Sequence, residues 1–189
     1  KSKSMVSEES ALDHAIEAAG LTVVETDLGE YILQINNYEA PSHIIGPALH
    51  KSKEEVAALF HRAHGTPVKT VIEDLCLEAR GVLRQHYLSA DMGISGGNFF
   101  VAESGSVVLV TNEGNATLTT TLPKVHVAIS GIEKIVPTLE DVATLMRLLP
   151  RSATGQSISN YVDLLTGPKG DGEFHGVDHM YFILVDSGR

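Results

Sequence analysis

Met92-Gly93-Ile94-Ser95-Gly96-Gly97-Asn98-Phe99-Phe100-Val101, then Val107-Val108-Leu109-Val110-Thr111 and Val125-His126-Val127-Ala128-Ile129-Ser130, form the stretch that decides the fold. Short apolar, β-branched runs bounded by glycine, serine and asparagine read as strands. The pattern predicts strands over Met92–Ile94, Phe99–Val101, Val107–Thr111, Thr117–Thr121 and Val125–Ser130. Upstream, Thr66-Pro67 opens a long helix with Val71, Ile72, Leu75, Ala79, Val82, Leu83 and His86 at helical spacing. Ser52-Lys53-Glu54-Glu55 is a capping box for a helix carrying Val56, Leu59, Phe60 and Ala63, which Gly65 ends. Earlier still, Leu21–Glu25, Tyr31–Ile35 and His43–Ile45 read as short strands. Ser7–Ala19 reads as a helix with Ser7 as N-cap and Gly20 as its stop.

That alternation of strand and helix points to a largely parallel, helix-covered sheet. Downstream, a helix over Thr138–Leu149 lies between Pro137 and Pro150. Ile158–Leu165 and Met180–Val185 read as final strands, joined by the glycine-rich loop Gly167–Gly176. No fixed-period repeat and no long linker divides the chain, so one α/β domain over 1–189 is expected. Lys1-Ser2-Lys3-Ser4 starts abruptly beside a helix, as though a strand feeding that helix precedes residue 1.

Composition narrows the partners. A chain of 189 residues, 43% hydrophobic and 20% charged, carries enough apolar surface for one substantial core. Its net charge of -10 argues against general nucleic-acid or anionic-membrane surfaces, which need clustered cations. A small anion needs only a local positive pocket. No apolar run approaches the roughly 20 residues of a membrane-spanning helix, and the basic N-terminus lacks an apolar signal core. Cys76 is the one cysteine, which excludes a disulfide framework and a four-thiolate cluster built from this chain. A reducing compartment, the cytoplasm, is expected, with Cys76 in a buried or half-buried helix position.

Several stretches can carry chemistry. Lys1-Ser2-Lys3-Ser4-Met5 combines ammonium groups and hydroxyls ahead of a helix, an arrangement suited to an anion, although Glu8 and Glu9 oppose it and a solvated terminus explains it equally. Three polar turns follow one another in the middle: Gly93 to Asn98 with Gly96, Glu103-Ser104-Gly105, and Thr111-Asn112-Glu113-Gly114-Asn115. They can line one sheet edge, where open α/β sheets bind ligands, or serve only as hairpin turns. Gly131-Ile132-Glu133-Lys134 places a Glu–Lys pair after a strong strand, and Ser152-Ala153-Thr154-Gly155-Gln156 is a hydroxyl-rich loop that suits a phosphate or carboxylate. The bland alternatives are a solvated ion pair and an ordinary connection. His43 and His50 flank the Gly46-Pro47 turn as pocket candidates. His61 with His64, and His175 with Asp178 and His179, match no zinc signature, so no metal is expected. Dinucleotide, Walker and nucleophile-elbow motifs are absent.

Lys1-Ser2-Lys3-Ser4-Met5, Glu25-Thr26-Asp27-Leu28-Gly29-Glu30-Tyr31-Ile32, Pro41-Ser42-His43-Ile44, Ala90-Asp91-Met92-Gly93-Ile94, Thr111 to Asn115, Gly131 to Lys134 and Ser152 to Gln156 resemble, in order, the LUD domain of LutB-type lactate-utilisation proteins. The closing Leu184-Val185-Asp186-Ser187-Gly188-Arg189 is similar to a family ending in Asp-Asn-Gly-Arg, with Ser187 in place of the amide. The resemblance implies a Rossmann-like, three-layer α/β fold of the NagB/RpiA/CoA-transferase type with additional β-structure. It implies a part in oxidising L-lactate to pyruvate with LutA-type and LutC-type partners. It also implies a ferredoxin-like segment with two 4Fe–4S clusters following Arg189, so none is expected within this chain.

Three readings follow. In the first, the domain belongs to an oxidoreductase: Lys1, Ser2, Lys3 and Ser4 hold a small anion with the Asn98, Asn112, Gly114 and Asn115 turns. Glu113 or Glu103 acts as general base, and Lys134 stabilises negative charge. In the second, Glu113 or Glu103 is a carboxylate nucleophile toward an acyl thioester. In the third, the domain only docks partners. Self-association is left open.

Overall fold

The computed structural model describes residues 1, 2 and 4–188, and the chain divides into two compact units: Lys1–Val23 with Ala90–Arg189, and Val24–Ser89. The first unit is therefore discontinuous in sequence, and the second is inserted within it.

The inserted unit is helical. Helices α3 (Leu28–Ile35), α4 (Lys53–His64) and α5 (Ile72–Ser89) pack Tyr31, Ile32, Leu59, Phe60, Leu75 and Leu83 into one core. Ser52 and Glu55 complete the expected capping box of α4, and Gly65 takes the left-handed conformation that closes it. The strand expected at Tyr31–Ile35 is helix α3. Asp27 caps it by accepting from the Gly29 N–H at 3.0 Å, and Leu28, Tyr31, Ile32 and Ile35 fall on one helical face. Residues 21–26 are irregular, and His43 folds its own turn by accepting at Nδ1 from the N–H groups of Ile45 and Gly46. Neither expected strand forms. Cys76 lies on the solvent side of α5, because Leu75 and Ala79 take the buried stripe; it is exposed rather than half-buried.

The discontinuous unit holds all the β-structure. Its N-terminal helix is two pieces, α1 (Met5–Glu9) and α2 (Leu12–Ala18), separated by Ala11 at φ 50°. Ser4, not Ser7, is the N-cap. Strands β1 (Met92–Ser95), β4 (Val125–Gly131) and β7 (His179–Val185) form an all-parallel sheet in the order β1-β4-β7, with Met92 beside Val125 and Val125 beside His179. Ser2 adds an isolated parallel bridge to Ser95. The second sheet is mixed, in the order β5-β2-β3-β6, from β2 (Phe99–Val101), β3 (Ser106–Thr111), β5 (Ile135–Val136) and β6 (Tyr161–Leu165).

Helix α6 (Asn115–Thr121) stands where a strand is expected. It lies against β1 so closely that a side chain at Gly93 would collide with the Thr119 carbonyl. Phe100, Val107, Leu109, Ala116 and Ala128 form the core between the sheets. Val101 and Val108 pack on the other side against Val142 of α7 (Leu139–Met146). Pro150 does not end a helix. It sits in the first turn of α8 (Leu149–Thr154), where its missing N–H costs nothing. No helix among the described residues is long and apolar enough to cross a membrane.

Candidate functional site

The carboxyl ends of parallel strands are where polar chemistry gathers in such sheets, because the chain turns there and frees backbone groups. At the end of β1, Ser2 donates its N–H to the Ile94 carbonyl at 2.8 Å, and Gly96 returns an N–H to the Ser2 carbonyl at 3.1 Å. The Ser95 hydroxyl donates to the Gly96 carbonyl at 2.9 Å and therefore accepts from His126 Nε2, at 2.8 Å. Burial depresses the His126 pKa to about 4, so the imidazole is neutral near pH 7. At the end of β4, the Ser130 hydroxyl donates to the Gly97 carbonyl at 3.3 Å. The Glu133 carboxylate folds back over Gly131, occupying the space a Cβ there would need.

Ser95, Ala128 and His126 share one face of this sheet, since Ser95 pairs with Ala128 and side chains alternate. Ala116, in the first turn of α6, shares a buried cluster with Ala128. Asn115 is buried there. Its Oδ1 accepts from Thr111 Oγ1 at 3.3 Å and from the Ala116 N–H at 2.8 Å. Among the described residues, Asn115 Nδ2 and Ser2 Oγ are buried without a hydrogen-bond partner. The structure thus gathers Ser2 and Gly96 at the end of β1, while Gly114 and Asn115 open α6, which packs on β1.

Other expected residues have local partners. Lys1 Nζ is buried, 3.0 Å from Asp13 Oδ2 and 2.9 Å from Ser7 Oγ, while Ser4 Oγ accepts from the Ser7 N–H at 3.3 Å. Lys3 lies outside the described residues. Asn98 accepts at Oδ1 from the Val110 N–H at 2.9 Å, tying β2 to β3. Glu103 accepts the Leu139 N–H at 2.6 Å, at the start of α7. Asn112 and Glu113 are exposed, and the Glu113 N–H donates to Thr111 Oγ1 at 3.1 Å. Glu133 and Lys134 are exposed on a single 3₁₀ turn after β4. Ser152 and Thr154 belong to α8, where Thr154 donates to the Pro150 carbonyl at 3.2 Å. Gly155 is the helix's left-handed cap, and Gln156 returns an N–H to the same carbonyl. His43 and His50 belong to the helical unit, where His50 Nε2 lies 2.9 Å from Glu39 Oε1.

That unit contains a polar cluster the sequence reading overlooked. Glu78 accepts from His64 Nδ1 at 2.7 Å and from Thr66 Oγ1 at 2.5 Å, and its other oxygen forms an ion pair with Lys69 Nζ at 2.8 Å. With Nδ1 donating, His64 Nε2 accepts the Tyr31 hydroxyl at 2.8 Å. Burial first, and the Glu78 charge second, raise the Tyr31 pKa. Glu78 sits one helical turn from Leu75 and three residues before Gly81, so the signal was a carboxylate on the apolar stripe of α5.

A mixed α/β domain with a parallel sheet and a polar strand-end cluster is the class this geometry defines. The LUD domain family model matches residues 2–185, and the chain belongs to that family. Proteins called "Lactate utilization protein B" are 51% identical in Geobacillus sp. (strain WCH70) and in Anoxybacillus flavithermus, and 52% identical in Shouchella clausii, each over all of this chain. The chain spans 40% of the length of those relatives. A solved structure of a DUF162 family protein from Deinococcus radiodurans aligns with 53% of this chain and 57% of its own, at 18% identity and a TM-score of 0.41.

Proposed function

We propose that this chain is the LUD domain of a LutB-type protein that serves L-lactate oxidation to pyruvate in the cytoplasm, together with LutA-type and LutC-type partners. The observation that carries this reading is 51% identity over the whole chain to relatives named for lactate utilisation. Its parallel sheet with flanking helices is consistent with layering of the NagB/RpiA/CoA-transferase type. The domain's part is to hold a small anionic ligand at the carboxyl end of β1, near Ser2, Gly96 and Asn115. Glu113 or Glu103 is the candidate base, and Lys134 the candidate stabiliser of negative charge.

Electron transfer requires a different segment. A 4Fe–4S cluster takes four cysteine thiolates, and Cys76, exposed on α5, is the only cysteine here. The residues of this chain do not fit such a cluster. Deleting the gene should abolish growth on L-lactate while sparing growth on pyruvate; unimpaired growth on L-lactate refutes the reading. The 189-residue chain alone should not reduce a dye with L-lactate, and reduction would overturn the division of labour.

A further inference from the structure

Ser2 lies beside β1 as one complete rung of a parallel ladder. Its N–H donates to the Ile94 carbonyl at 2.8 Å, and its own carbonyl accepts the Gly96 N–H at 3.1 Å. In a parallel pair one residue reaches the neighbours of the residue opposite it, here Ser95. That rung fixes side, direction and register on β1. Backbone groups along a strand turn to alternate edges. Those of Gly93 and Ser95 serve β4, and those of Met92 and Ile94 face outward. β1 ends its sheet, and among the described residues Ser2 makes the only bridge to its outer side. The next rung before Ser2, the Ile94 N–H with the Met92 carbonyl, is therefore open.

The flanks of that edge are already built. Paired residues share a face, so Ser2 points with Ser95 and Gly93 toward α6, whose Thr119 carbonyl a side chain at Gly93 would strike. Lys1 points the other way, where its ammonium group meets Ser7 of α1 at 2.9 Å and Asp13 of α2 at 3.0 Å. A strand in this place lies between helices, the setting in which parallel strands are buried and apolar.

We propose that the open edge of β1 takes a parallel strand made by the residues immediately before Lys1 in the full-length protein. The relatives carry further chain outside the matched stretch, since this chain spans 40% of their length. The Ser2 rung selects this occupant over a second molecule. A strand that runs straight into Ser2 closes no loop and orders no separate partner. The ladder repeats every two residues. The residue two before Ser2 thus lies opposite Gly93, donates its N–H to the Met92 carbonyl and accepts the Ile94 N–H. The parallel sheet gains a fourth strand outside β1, a short apolar run with no proline at that position. Ser2 becomes the last residue of a strand. Its hydroxyl, buried without a partner, is then fixed beside Ser95 at the end of the sheet where open α/β folds bind ligands. The pairing is independent of any lactate role, so either can fail without the other.

Hydrogen exchange of the full-length protein, resolved to single amides, tests this. Gly96, bonded to Ser2, is the internal reference. The Ile94 amide should be as well protected as that of Gly96. Deleting everything before Lys1 should speed its exchange by about a hundredfold or more, while Ser95, bonded toward β4, stays protected. An Ile94 amide that exchanges freely in the full-length protein while Gly96 is protected overturns the proposal. So does protection of Ile94 that survives the deletion, which places a strand of another molecule on this edge. Where the shortened chain does not fold, proline at the position two before Ser2 takes its place. It removes the N–H that serves Met92 and should speed exchange at Ile94 by about tenfold or more; unchanged exchange there overturns the proposal.

Discussion

Replacing Glu78 by glutamine should cost the helical unit about 2 kcal/mol at neutral pH, and about a quarter of that at pH 2.5. Its side chain is 4% exposed. Burial alone would raise the carboxyl pKa, but hydrogen bonds from Lys69, Thr66 and His64, with the Lys69 charge, outweigh it and hold the group at about 2 against an ordinary 4.5. At about 1.4 kcal/mol per pH step, that difference is worth about 3 kcal/mol. Lys69 is 31% exposed, so water and salt screen its share and bring the figure nearer 2 kcal/mol. The folded pKa is depressed, so this stability is fully present above pH 4.5 and drains away as pH falls toward 2. Glutamine keeps the shape but neither the charge nor the capacity to accept three donors. Urea unfolding of both proteins, followed by far-ultraviolet circular dichroism at pH 7 and pH 2.5, measures the difference. A penalty below about 0.5 kcal/mol at pH 7, or an equal penalty at both pH values, refutes the argument from ionised Glu78.

Three further outcomes follow from other sites. Burial holds His126 neutral with a pKa near 4 against an ordinary 6.5, so the discontinuous unit should lose up to about 3 kcal/mol as pH falls through that window; His126→Gln should flatten the decline in melting temperature. Gly93→Ala should lower stability by about 1–3 kcal/mol or more, because its methyl meets the Thr119 backbone, which cannot swing aside as a side chain can. Ser52→Ala should cost about 1 kcal/mol in chemical denaturation, by removing the acceptor for the Glu55 N–H at the start of α4.

Local chemistry was legible where it was self-contained. Ser52 with Glu55, Gly65, and the short apolar runs of β2, β3 and β4 state their conformation within a few residues, and the structure agrees. Thr117–Thr121 reads as a strand because threonine is β-branched, yet the segment is helical: Ala116, Thr119 and Thr120 are buried, with Gly93 opening the space for α6, and packing overrides propensity. At Tyr31–Ile35 the error was one of period. Asp27 marks the start, and Leu28 with Tyr31, Ile32 and Ile35 completes a helical stripe that a five-residue window cannot display. The site was partly visible. Glycine and asparagine turns announced the end of β1, but His126 sits inside an apolar run whose own pattern says only strand. Tyr31, His64 and Glu78 come from three separate helices, and nothing local unites them.

The insertion of Val24–Ser89 between the two parts of the discontinuous unit sets an order of events on the ribosome. Helices α1 and α2 emerge before the insert, but β4, against which α1 packs, lies more than a hundred residues later, and Ser2 waits for Ser95. The three-helix insert has all its core residues in hand by Tyr87. It can close on its own while the opening segment still lacks a partner. Within the discontinuous unit, α1 and α2 thus stay exposed while the whole insert is made and folded, and their apolar faces are open to a chaperone for that interval.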